Sequence, residues 1–154
     1  MSLATWAADC AERVLPLFEK AYLNDDRPRK AIAVCQEWVR TGMFKMSTIR
    51  GASLAAHAAA REVKENVAAC FAARSAGQAV ATAHVSQHAF GAAYYALKAI
   101  AAADPSHAWL NVSKELDRQA QCIPANLREE VLKRIVIEKS HCGAIVKMLK
   151  DESF

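Results

Sequence analysis

At 154 residues the chain is long enough to bury a core without disulfide or metal staples. Hydrophobic residues make up 53% of it but aromatics only 7%, and alanine is the commonest of the apolar residues; with 23% charged residues the balance is that of a folded domain and argues against disorder. The net charge of +4 is a mild excess, and no run of about five to eight Lys/Arg supplies the concentrated footprint that nucleic-acid binding needs.

Residues 3–22 read as a helix with Trp6, Cys10, Val14, Leu17 and Ala21 on one stripe, and Pro16 predicts a kink or break within it. Asn24 to Pro28 reads as a turn, with Asp26 the cap of a second helix and Pro28 in its first turn. That helix is expected to run to about Thr41, burying Ala31, Ile32, Cys35, Trp38 and Val39, and to stop at Gly42. Residues 43–47 form a short loop carrying Met43, Phe44 and Met46. Ser47 is the expected cap of a third helix from about Thr48, which either continues to Ser75 or breaks near Lys64–Asn66, with Gly77 ending it.

From Gln78 to Ala103 there is no proline and a single internal glycine among many alanines, the best helix former. Around one helical wheel His84, His88, Gly91 and Tyr95 share a face, while Phe90, Ala93, Leu97 and Ile100 lie opposite. A helix that is apolar all round is normally buried, so this stretch is expected to be a continuous central helix. Asp104-Pro105-Ser106 is a stop and a fresh cap, followed by a helix from about Ala108 to Gln121. Pro124 then starts a last helix with Leu127, Val131, Ile135, Cys142, Val146 and Leu149 near one face, and Lys150 to Phe154 reads as a frayed tail. No segment shows the period-two pattern of strands. The expectation is an all-α, single-domain bundle spanning 1–154, of about six or seven helices around the alanine-rich central one.

Cys10, Cys35, Cys70, Cys122 and Cys142 are odd in number and contain no C-x-x-C pair. They read as small buried hydrophobes of a reducing cytoplasm rather than a disulfide framework. The N-terminus lacks the basic-then-apolar pattern of a secretory signal, and no uninterrupted apolar stretch of ~18 residues suits a membrane span.

His84 and His88, at i and i+4 of the expected helix, could share one metal ion, with His57, Glu62 or a cysteine supplying a third ligand. Val85 stands where an H-E-x-x-H protease has its glutamate. Two core histidines bonded to backbone, to Tyr95 or to each other would give the same pattern, and no third ligand is evident; no metal or cofactor is therefore assigned. His57, His84, His88 and Tyr95 remain candidates for a small-molecule or metal pocket. There is no G-x-S-x-G, no P-loop and no G-x-G-x-x-G, so no catalytic residue is assigned and the chain is expected not to be an enzyme. Met43, Phe44 and Met46, flanked by Lys45 and Arg50, are candidates for docking a partner or a second copy of the chain, or for packing back on the bundle.

Several stretches resemble the immunity-five-like family found with bacterial polymorphic toxin systems: Trp6 to Ala11 with Val14 to Glu19, Asp26 to Ile32 with Trp38, Ser53 to Glu62, and Ala81 to Gly91 with Tyr95 to Lys98. Pro124 with Leu127 to Leu132 is a weaker echo, and the last twenty residues or so fall outside the likeness. The resemblance implies an all-helical cytoplasmic protein that neutralises a cognate protein toxin by binding it, with no catalytic residues and no role for the histidines. Inhibitors of nucleases are often acidic, mimicking phosphate, so the basic balance here departs from that pattern.

Overall fold

A computed structural model describes residues 2–149; the expected frayed tail, Lys150 to Phe154, lies outside the described residues. Ser2 opens α1 (Leu3–Val14) by accepting the Thr5 backbone N–H at its Oγ, at 3.2 Å. Pro16 ends α1 and begins the single turn α2 (Pro16–Glu19), as its missing N–H predicts. The break also ends the expected stripe. Trp6, Cys10 and Val14 are buried, as is Leu15 just before the proline; beyond it Phe18 is buried, Leu17 half-buried and Ala21 exposed.

Helix α3 (Arg27–Thr41) carries Pro28 in its first turn and closes at Gly42, whose φ of 69° lets its N–H reach the Trp38 carbonyl at 2.8 Å. The capping carboxylate differs from expectation: Asp26 makes no side-chain cap, and Asp25 Oδ1 accepts the Arg27 N–H at 3.1 Å. Ala31, Ile32 and Cys35 are buried, whereas Trp38 is half-buried and Val39 exposed on the outer flank. Helix α4 (Met46–Glu62) begins before Ser47, which makes no cap. The break near Lys64–Asn66 is present: Asn66 Oδ1 accepts the Ala69 N–H and opens α5 (Val67–Ala81), which runs straight through Gly77 rather than ending there.

The largest correction concerns residues 78–103. They are not one helix: α5 ends at Ala81, residues 82–87 turn, and α6 spans His88–Ala103. Thr82 turns its Oγ1 back onto the Gln78 carbonyl, and Thr82, Val85 and Ser86 are weaker helix formers than the alanines on either side. Doubling back also solves a burial problem. Each alanine-rich segment has only a narrow polar stripe, Arg74 and Gln78 on one and Tyr94, Tyr95 and Lys98 on the other, and as an antiparallel pair each covers apolar surface of its neighbour. Ser75 Oγ donating to the Ala92 carbonyl at 2.7 Å shows how closely the backbones approach. The central element is therefore α5, buried on most of its circumference and touching α1, α2, α3, α4 and α6.

A 3₁₀ turn (Pro105–His107) leads into α7 (Ala108–Cys122), and α8 (Ala125–Arg134) follows Pro124. The expected last helix then gives way to an antiparallel hairpin, β1 (Ile135–Ser140) and β2 (Gly143–Met148), paired from Ile135↔Met148 to Ser140↔Gly143. The chain is thus mostly helical rather than all-α. Ile135, Val136 and Ile137 are three β-branched residues in a row, and Gly143 sits at φ 134°, a conformation that other residues rarely adopt. The hairpin packs on α6 and α7, burying Ile135 and Val146. No helix among the described residues is long and apolar enough to cross a membrane.

Candidate functional site

His57, on α4, is half-buried against α5 at Gly77; a methyl group built on that glycine would lie 2.7 Å from His57 Nε2. Gly77 is therefore a close-approach glycine, not a terminator. Burial, and then the charges of Arg74, Arg61 and His88, hold the His57 pKa below its ordinary value. His88 begins α6, its Nδ1 2.6 Å from Gln78 Oε1 on α5. A carbonyl oxygen accepts, so Nδ1 carries the proton and Nε2 is left as an acceptor. Burial and the neighbouring His84 lower the His88 pKa as well.

His84 lies in the turn and is exposed, so the two histidines do not share a helical face; the turn nevertheless brings their rings to 5.5 Å, tilted by 54°. Tyr95 stands further along α6, apart from the histidine contacts. It stacks on Phe71 at 5.9 Å, meets Tyr94 edge-on at 5.1 Å, and has the Arg74 guanidinium 5.9 Å from its ring centre. Arg74 is the link between the two groups. Among the described residues no three His, Cys, Asp or Glu side chains converge to hold a metal ion.

Cys10, Cys35 and Cys70 are buried, Cys122 partly so, and Cys142 is exposed in the hairpin turn rather than on a helix. Burial pushes the Cys10 thiol far up and Cys35 up to about 12, so neither forms the thiolate a nucleophile needs. Asp104, Ser106 and His107 have the residue types of a hydrolase triad. Their bonds, however, converge on a single ring nitrogen, His107 Nδ1, at 3.1 Å from Ser106 Oγ and 2.9 Å from Asp104 Oδ2. A triad uses both imidazole nitrogens, so this cluster is a turn brace.

An apolar groove of about 820 Å³ lies elsewhere, between α3 and α4. Val34, Trp38, Met43, Ile49 and Ala52 line it, together with the charged Lys30, Glu37 and Lys45. Small residues on α4, Gly51, Ala52 and Ala55, leave the trough open, and Trp38 belongs to this wall rather than to the core. The spacing of Val34 and Trp38, one turn apart on α3, was the available signal. Met43 is 75% exposed, Phe44 48% and Met46 47%, so the loop does not fold back onto the bundle.

The chain belongs to the Imm-5 like putative immunity protein family, whose description matches residues 1–126. The match covers α1 to α7 and ends before Leu127 to Leu132 and the hairpin. No curated protein and no solved structure matches the chain.

Proposed function

We propose that this protein neutralises a protein toxin by binding it, without catalysis, and that it docks through the α3–α4 groove together with the adjoining loop residues Met43 and Phe44 and with Met46 at the start of α4. Membership of an immunity family supports the reading of a toxin partner. The observation that carries the docking site is the continuity of an apolar groove with an exposed apolar loop, Met43 belonging to both. Monomeric proteins rarely leave such surface uncovered unless something binds it. Flat apolar contact flanked by charge is also the anatomy of protein interfaces.

The test is co-expression with the toxin encoded by the neighbouring gene. The native chain is expected to protect cells and to form a stoichiometric complex. Filling the groove with Ala52→Trp and charging the loop with Met43→Asp/Phe44→Asp should each weaken that complex by roughly thirtyfold or more, the loss typical of an interface hot spot. Full protection by both variants would discard the groove and loop, and failure of the native chain to bind or protect would discard the toxin reading. A dimer in solution that Met43→Asp/Phe44→Asp converts to monomer would assign the loop to a self-interface instead.

A further inference from the structure

Charge is unevenly distributed over this molecule. From Met46 to Ala103, the span of α4, α5 and α6, the cations are Arg50, Arg61, Lys64, Arg74 and Lys98, and the only carboxylates are Glu62 and Glu65. Nearly all of the net charge of +4 therefore resides in these three helices. Glu62 is already engaged by Arg27, at 2.6 Å. Among the described residues none of the five cations has an ion-pair partner, whereas Arg13, Arg27, Arg29, Arg40 and Arg118 all do.

Aromatic rings, not carboxylates, hold two of these cations in place. Lys98 Nζ sits 4.4 Å from the Phe71 ring centre and 5.2 Å from that of Tyr94, and Arg74 lies over Tyr95. The rings in turn stack on one another through the Phe71–Tyr95 and Tyr94–Tyr95 contacts. Such contacts orient a charge without neutralising it, so less side-chain freedom remains to be lost on binding. His57 and Arg61 on α4, with His88 at the start of α6 and His84 beside it, adjoin Arg74 and continue the same face. His57 and Arg61 lie roughly half a turn around α4 from Ala52, so this face is separate from the groove.

We propose that this face of α4–α6 binds a carboxylate-rich segment of a partner protein, with Arg61, Arg74 and Lys98 receiving its carboxylates. Charge complementarity selects the occupant: oriented cations without ion-pair partners among the described residues, on a span from Met46 to Ala103 whose only acids are Glu62 and Glu65. A nucleic acid fits less well. The rings already stack on each other and carry Arg74 and Lys98, which leaves no open platform for bases. The inference does not depend on the toxin reading, because it concerns a different surface and its test uses a different probe.

The full ¹⁵N-labelled chain is titrated with an octaglutamate peptide and, separately, with an eight-nucleotide single-stranded DNA of thymidines. Amide shift changes are expected to be confined to the α4–α6 face, with affinity falling several-fold between about 50 and 300 mM salt. Arg61→Glu/Arg74→Glu/Lys98→Glu should weaken peptide binding by about tenfold or more, and Lys20→Glu/Lys114→Glu/Lys139→Glu, an equal charge change elsewhere, by less than about twofold. Arg61→Glu alone, at an exposed position, should still weaken it by about threefold and guards against misfolding of the triple variant. Shifts spread over the whole surface, or equal losses in both triple variants, would overturn the site. Tighter binding of the DNA would overturn the assignment to a protein segment.

Discussion

His57 and His88 illustrate how burial changes what a histidine does. Both are held below the ordinary imidazole pKa of 6.5, chiefly by burial and then by neighbouring cations or histidine. Above that value both rings are neutral in the folded and the unfolded chain. As pH falls through it, the unfolded chain takes up protons that the folded one resists, so stability is lost from about pH 6.5 downward. The melting temperature is therefore expected to drop between about pH 7.5 and 5.5, before the carboxylates titrate, and His57→Gln should reduce the drop. An unchanged slope in that variant would place the pH dependence elsewhere. The sequence marks these histidines as unusual, lone polar rings among alanines. It does not show that His57 presses on Gly77 or that His88 meets Gln78, because both contacts join different helices.

At the scale of elements, helix starts and stops were largely legible because they are local chemistry. Pro16, Pro28, Gly42, Asn66 and Pro105 mark boundaries where their backbone restrictions or caps place them. The 82–87 turn and the hairpin were not legible. An alanine run satisfies helix propensity whether it stays straight or doubles back, and Cys142, Val146 and Leu149 have the spacing of a helical stripe although only Val146 belongs to a strand. The hairpin depends on a close fit at its turn. Gly143 is at φ 134°, and a Cβ there would stand 3.0 Å from the Pro105 carbonyl oxygen. Gly143→Ala should therefore weaken the hairpin locally by about 1–3 kcal/mol, read as faster amide hydrogen exchange over 135–148 with α5 and α6 unchanged. Uniform loss of protection throughout the chain would mean instead that the hairpin and bundle open together.

Across the whole molecule, the seam between α1 and α7 closes the bundle over α6. Trp6, fully buried, donates its indole N–H to the Gln119 carbonyl at 2.9 Å and meets Phe90 edge-on at 6.3 Å. Beside it Glu115, only 4% exposed, receives Arg13 at 3.0 Å and Arg118 at 2.7 Å. Removing the acceptor leaves the less exposed Arg118 without its partner, so Glu115→Ala should lower unfolding stability by about 1.5–3 kcal/mol in urea denaturation. Arg13 is half exposed and can return to water, so Arg13→Ala should cost only about 0.2–1 kcal/mol. Equal losses in the two variants would show that Arg13, rather than Arg118, carries the pairing.

The helical class, most helix ends and the scarcity of aromatics follow from composition, punctuation and spacing, which act over a few residues. Which helix is central, where Trp38 lies, how the groove opens beside Gly51, Ala52 and Ala55, and how Arg74 and Lys98 come to rest on the Phe71, Tyr94 and Tyr95 rings all depend on contacts between residues distant in the chain. Alanine makes that division sharp. Its small side chain favours a helix almost anywhere and specifies little about which neighbour that helix meets, so the few larger residues and the buried glycine at 77 settle the packing.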